Sequence, residues 1–237
     1  MTRRLPRRTV LASLVAIPAS AMLLSACSDS SGQAEAQTPD TAPTASTSAA
    51  NAPQPTGKVD MAMLLEEGSL PEKVLGNADA PVTIVEYASM TCGHCAAFHN
   101  NTLPEIKKNY IDTGKARLIM REFPFDPRAE AGFMLARCSD DKYFAMVDVL
   151  FKQQQNWAGV QDAQAALLQI ARLAGFSQES FEACLTDSKL LADVKSVRAR
   201  GEKDFGVDAT PTFFINGNKY SGAMSVAEMS AVIDSMV

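Results

Sequence analysis

Two runs of apolar residues stand out along this chain. They are Pro81-Val82-Thr83-Ile84-Val85-Glu86-Tyr87-Ala88 and Ala116-Arg117-Leu118-Ile119-Met120-Arg121-Glu122-Phe123. Short runs rich in branched and aromatic side chains predict buried strands, and Pro124 ends the second. Between them, Ala96 to Ile106 reads as helix. Leu70 to Leu75, turned by Gly76-Asn77, predicts a short strand ahead of the first run. From Pro127 to about Asp204 the apolar spacing changes to three and four. Leu167, Ile170 and Ala174 share one helix face, and Val194, Val197, Gly201 and Phe205 share another. Strands return at Phe213-Phe214-Ile215, with Asn216-Gly217 as turn and Lys219-Tyr220 as the second limb of a hairpin. A last helix carries Val226, Met229, Ile233 and Met236 on one face. The order βαβ, then about 80 helical residues, then ββα describes one α/β domain split by an all-helical subdomain over about 126–204.

The N-terminus has a different pattern. Arg3, Arg4, Arg7 and Arg8 precede an apolar stretch from Val10 to Ala26, broken by Pro18. Residues 1–26 therefore read as an export signal, too short and wrongly flanked for a membrane span. Leu24-Ser25-Ala26-Cys27 resembles a bacterial lipobox, which would make Cys27 the lipidated mature N-terminus. Cleavage after Ala19-Ser20-Ala21 is the alternative, and Arg7-Arg8-Thr9-Val10-Leu11 loosely resembles a twin-arginine signal. Residues 27–58, rich in Ser, Thr, Ala, Pro and Gln, cannot bury a core and read as a disordered tether, with a mean reach of roughly 30 Å. The 179 residues of 59–237 suffice for one well-buried domain.

Charge narrows the partners. The chain sums to −5, and removing the four signal arginines leaves 18 basic against 27 acidic residues, or −9. Such a surface repels nucleic acid and anionic lipid. Five cysteines make an odd set. With Cys27 lipidated, Cys92 and Cys95 remain as one pair and Cys138 and Cys184 as another, which suits an exported domain with one catalytic and one structural bridge. Linking the second pair would close a loop of about 45 residues inside the helical segment, stabilising it by a few kcal/mol; two buried free thiols are the alternative.

The chemistry centres on Cys92-Gly93-His94-Cys95, directly after the first long strand and opening a helix. Only a thiolate exchanges disulfides, and a helix N-terminus with its unpaired N–H groups lowers the pKa of Cys92. His94 lies between the sulfurs and can add a donor or a positive charge. Stabilising the thiolate favours the dithiol over the disulfide and so makes an oxidant. Cys95, one turn further in, reads as the resolving partner. Glu86 sits inside an apolar strand, where a carboxyl is costly unless it is paired or acts as a proton relay for Cys95. Thr210-Pro211 opens the hairpin, either as an ordinary trans strand-edge proline or as a cis peptide that sets a turn beside the cysteines. No second cysteine pair follows at zinc-finger spacing. Cys92, Cys95 and His99 could face one side of the helix and hold Cu(I), although such a histidine is more commonly a packing residue.

Together Gly76-Asn77-Ala78-Asp79-Ala80-Pro81, Glu86, Cys92-Gly93-His94-Cys95, Thr210-Pro211 and the helical insertion resemble the DsbA family of thioredoxin-fold oxidoreductases of bacterial cell envelopes. The resemblance covers about residues 70–237. It implies a thioredoxin fold with an inserted all-helical subdomain, a nucleophilic Cys92, a resolving Cys95, a thiolate-stabilising His94, a cis Pro211 and a second disulfide in the insertion. It also implies exported substrates with free thiols, a periplasmic or envelope location and no bound cofactor. The redox partner would sit in the membrane, either a DsbB-like oxidase or a reductase donor. Gly93 and Thr210 are also what protein disulfide isomerases carry at these places, which makes reductase or isomerase the alternative to oxidase; a copper-handling module is the alternative of another class.

Overall fold

The computed structural model describes residues 52–237. The signal segment, Cys27 and most of the tether lie outside the described residues.

Six strands form one mixed sheet in the order β1-β6-β5-β3-β4-β2. The two apolar runs make its centre, β3 (Val82–Ala88) and β4 (Ala116–Glu122), paired in parallel. A parallel pair buried on both faces needs continuous apolar sequence, and every residue of β3 is buried. The hairpin β5 (Thr212–Ile215) and β6 (Asn218–Ser221) adds antiparallel strands on one side of β3. Its turn uses Asn216 at φ 45° and Gly217 at φ 85°, the left-handed pair that a two-residue hairpin demands.

The edges differ from the sequence reading. On one side, β2 covers only Lys73–Leu75 rather than starting at Leu70, because Pro71 has no N–H to give a ladder. On the other side, the tether expected through Lys58 ends earlier. Gly57 and Lys58 form β1 against β6, with the Thr56 amide donating to the Lys219 carbonyl at 2.8 Å. Helix α1 (Met61–Leu65), capped by Asp60, then buries Leu64 fully. Neither element is long enough to show a period in sequence.

A helical rod over 93–111 crosses one face of the sheet. It runs as α2 (Gly93–Ala97), a π turn over Phe98–Thr102, α3 (Leu103–Ile106) and a second π turn over Lys107–Ile111. With α10 (Val226–Asp234) it encloses a core of Val82, Ile84, Phe98, Ile106, Phe213 and Ile233. The opposite face carries Val85, Tyr87, Ile119 and Phe214 against Leu64 and Phe205. Period-two alternation on β3 thus sends Val82, Ile84 and Glu86 toward the rod.

The insertion comprises α4 (Pro127–Cys138), α5 (Tyr143–Lys152), α6 (Gln154–Trp157), α7 (Ala163–Leu173), α8 (Gln178–Thr186) and α9 (Ser188–Phe205). Its core of Phe133, Leu150, Phe151, Trp157 and Phe181 continues into Ala88, Met90 and Cys95 at the end of β3. Cys138 and Cys184 form a disulfide between α4 and α8, with S–S 2.09 Å and a sequence separation of 46.

Helix α9 returns the chain to the sheet through Gly201, where a Cβ would stand 2.6 Å from the Tyr87 ring. That ring cannot swing away freely, because its hydroxyl accepts from Arg121 at 2.9 Å. Gly201→Ala gains about 1 kcal/mol of helix propensity but overpacks a fixed aromatic, for a net destabilisation of about 1–2 kcal/mol. Urea unfolding curves of the two proteins measure it.

Candidate active site

The C-terminal end of β3 delivers the chain into the turn Ser89-Met90-Thr91-Cys92, and the insertion holds that turn. Gln154 on α6 donates its side-chain amide to the carbonyls of Met90 at 2.9 Å and Cys92 at 3.0 Å. Asp126, the N-cap of α4, accepts from the Thr91 hydroxyl at 2.5 Å while also accepting from the amides of Arg128 and Ala129. Gly132 lets α4 close on Met90, since a Cβ there would meet the Met90 side chain at 3.1 Å. Neither Gln154 nor Asp126 was singled out from sequence. Asp126 had a signal, an acid directly before Pro127 at a helix start; Gln154 had none.

Cys92 caps the N-terminus of the rod and is half-buried, while Cys95 is fully buried one turn on. Both are free thiols. The two sulfurs see opposite environments. The Cys92 thiol falls from its ordinary 9.0 to about 5, first through a hydrogen bond from Cys95 and further through the backbone amides of Cys95 and His94. Burial pushes the Cys95 thiol far up, helped by its bond to Cys92 and the negative field of Glu86.

The remaining predicted residues gather here with one qualification each. Thr210-Pro211 is a cis peptide, and the Thr210 carbonyl accepts from Cys92 Sγ at 3.3 Å. The Thr210 hydroxyl is buried without a hydrogen-bond partner among the described residues. His94 is exposed, and it acts on Cys92 through its backbone amide; among the described residues its imidazole makes no hydrogen bond. Glu86 is fully buried and bonds His99 Nε2 with both oxygens, at 3.1 and 3.0 Å. His99 therefore faces the sheet rather than joining Cys92 and Cys95 around a shared point. Among the described residues no three His, Cys, Asp or Glu side chains are grouped to hold a metal ion. The Cys138–Cys184 bridge belongs to the insertion.

A helical insertion in a thioredoxin sheet, with a CxxC motif capping the rod beside a cis-proline, defines a class of thiol-exchange proteins. A family model described as Thioredoxin matches residues 69–235. The crystal structure of alpha-DsbA1 from Wolbachia pipientis superposes with a TM-score of 0.68 at 35% identity, covering 73% of this chain and 94% of that one. A Rickettsia bellii protein named for protein-disulfide oxidoreductase activity is 35% identical over 172 residues, 70% of this chain and 64% of its own. BdbD of Bacillus subtilis shares the fold at 21% identity and a TM-score of 0.62. The chain belongs to the DsbA-like family of thioredoxin-fold proteins. It spans between 59% and 64% of the length of the rickettsial relatives it matches.

Because Cys95 is the first cause of the Cys92 shift, removing it tests the site directly. Thiolate absorbance of the reduced protein is expected to titrate with a midpoint near 5, and Cys95→Ala raises that midpoint. The linkage has a definite sign: a thiol whose folded pKa lies below its unfolded value stabilises the reduced fold most above about pH 9. The gain shrinks as pH falls and is gone below about 5.

Proposed function

We propose that this protein is a thiol:disulfide oxidoreductase that introduces disulfide bonds into exported proteins through Cys92 and Cys95. The observation that carries the reading is the unequal placement of the two thiols: a half-buried Cys92 at a helix N-terminus, its pKa lowered to about 5, and a fully buried Cys95 whose pKa burial pushes up. At neutral pH the reduced protein is a stabilised Cys92 thiolate, and stabilising the dithiol state makes the disulfide state an oxidant.

The cycle starts from the Cys92–Cys95 disulfide. A substrate thiolate attacks Cys92 Sγ, forming a mixed disulfide and expelling Cys95. The second substrate thiolate then attacks the substrate sulfur of that mixed disulfide and expels the Cys92 thiolate. The substrate leaves oxidised by two electrons, and the protein is left as a dithiol. Attack is directed to Cys92 because Cys95 has no exposed surface. The backbone N–H of Thr210 has no backbone partner among the described residues, so an extended substrate could pair beside the cis-proline as an added strand. Phe125, 48% exposed next to Asp126, offers apolar contact for an unfolded chain. Reoxidation draws on a membrane-bound disulfide donor of the DsbB type. An export signal over residues 1–26 and a lipobox ending at Cys27 would hold the protein in the cell envelope on a lipid tether.

The equilibrium reduction potential against glutathione separates the oxidase from the reductase direction. The expected value lies well above the about −270 mV of thioredoxin; a value at or below it would assign the reverse reaction. The slope is equally diagnostic. With only Cys95 taking a proton on reduction, the potential falls by about 30 mV per pH unit above pH 5, steepening to about 59 mV below it.

A further inference from the structure

The Glu86–His99 contact is a buried polar feature of this site that the exchange cycle above does not use. Glu86 stands on the rod-facing side of β3, where Val82 and Ile84 are core, and among the described residues His99 is its sole hydrogen-bond partner. The imidazole is fixed as well as buried, stacked on Phe151 at 4.3 Å and edge-on to Phe98 at 5.5 Å. It sits four residues after Cys95 on the same rod, inside the π turn over Phe98–Thr102, the kind of helical defect that recurs at functional sites. His99 also borders a recess of about 390 Å³, lined by Leu103, Pro104, Phe144 and Val147. Its Nδ1 has no protein partner among the described residues.

A partner needed only to balance a buried carboxylate could be a lysine or arginine, which would hold its proton throughout. An imidazole has two nitrogens and titrates in the neutral range, so it can take a proton on one side and release it on the other. Cys95 needs that service. It has no exposed surface, yet it must gain a proton when it is expelled and lose one when it attacks.

We infer that His99 is the outer half of a proton relay that joins Cys95, through Glu86, to water in the recess beside α5. The inference rests on the oxidoreductase reading above. As the Cys92–Cys95 bond breaks, its electron pair leaves on Cys95 Sγ. The Nε2 proton of His99 crosses the Glu86 carboxylate to that sulfur, and Nδ1 takes one from recess water. On reoxidation Cys95 attacks, and the same protons run back to the recess. His99 is thus a positioning residue acting through Glu86. The other ionisable groups around the relay are Cys92 on the inner side, Tyr143 of α5 within the field of Glu86, and Lys107, Asp148 and Lys152 at the recess. The strands flanking Glu86 contribute Met120 and Phe213, which do not titrate.

The test follows ring closure, in which Cys95 attacks a preformed mixed disulfide between Cys92 and glutathione on the full chain and releases glutathione. His99→Gln keeps a hydrogen bond to Glu86 but cannot carry the proton; His99→Ala opens a hole continuous with the recess. Both are expected to slow closure by at least about tenfold at neutral pH and to change its pH profile. The rate of Cys92 alkylation by iodoacetamide should stay as in the unmodified protein. Millimolar imidazole should restore closure in His99→Ala and not in His99→Phe, where the ring fills the hole. Closure at the original rate in His99→Gln, or slow closure in His99→Ala that imidazole leaves unchanged, would overturn the relay. If the original protein forms no Cys92–glutathione disulfide at all, the oxidoreductase reading itself fails.

Discussion

Every reactive group here depends on four residues, Ser89 to Cys92, being held still between the sheet and the insertion. The turn receives a strand buried on both sides and hands it to a helix whose N-terminus must point at one sulfur. A free loop would spend most of its time elsewhere. Gln154, Asp126 and the close approach of Gly132 to Met90 remove that freedom, and all three come from the insertion. The helical block is therefore part of the active site's frame. A thioredoxin sheet alone supplies the cysteines and the cis-proline, but in this chain the backbone around Cys92 is pinned by side chains from α4 and α6.

Within that frame, two thiols of the same chemistry diverge because one reaches water and the other does not. Helix-end donors and the Cys95 thiol favour charge on Cys92; burial disfavours it on Cys95. The hydrogen bond between them raises one pKa and lowers the other, so a single contact widens the gap from both ends. His94 enters this balance through its amide, which any residue but proline at that position would supply. The dipeptide between the cysteines thus bears on the site less through its imidazole than through the helix it starts.

The central strands, the helical insertion and the hairpin were legible because long apolar runs and three-four spacing survive any context. So was the convergence of Cys92, Cys95, Glu86 and Thr210-Pro211, which are carried by motifs. The edge of the sheet was not, since Gly57-Lys58 has no pattern of its own and becomes a strand only because β6 leaves an open ladder. Gln154 lies in a run of glutamines whose sequence favours none of them; the fold alone selects it. His99 was readable as a packing residue or a metal ligand, but its carboxylate partner lies thirteen residues back on a different element, beyond any helical spacing.

A further ion pair explains how the insertion keeps its angle to the sheet. Glu122 on β4 accepts from Arg137 of α4 at 2.6 Å and from the Tyr143 hydroxyl at 3.3 Å, while Arg137 also donates to the Pro71 carbonyl. Next to it, Arg121 binds Glu72, the Tyr87 hydroxyl and the Leu64 carbonyl. Such pairs contribute little net stability, because desolvating both charges offsets most of their attraction. Their effect is on alternatives: sliding α4 along the sheet would separate Arg137 from Glu122 and leave a buried charge uncompensated, at a cost of about 3–5 kcal/mol. The apolar core that surrounds them would tolerate a small slide far better, since hydrophobic contact has no direction. Position, more than stability, is what a pinned Cys92 turn requires, and these directional contacts supply it where the core cannot.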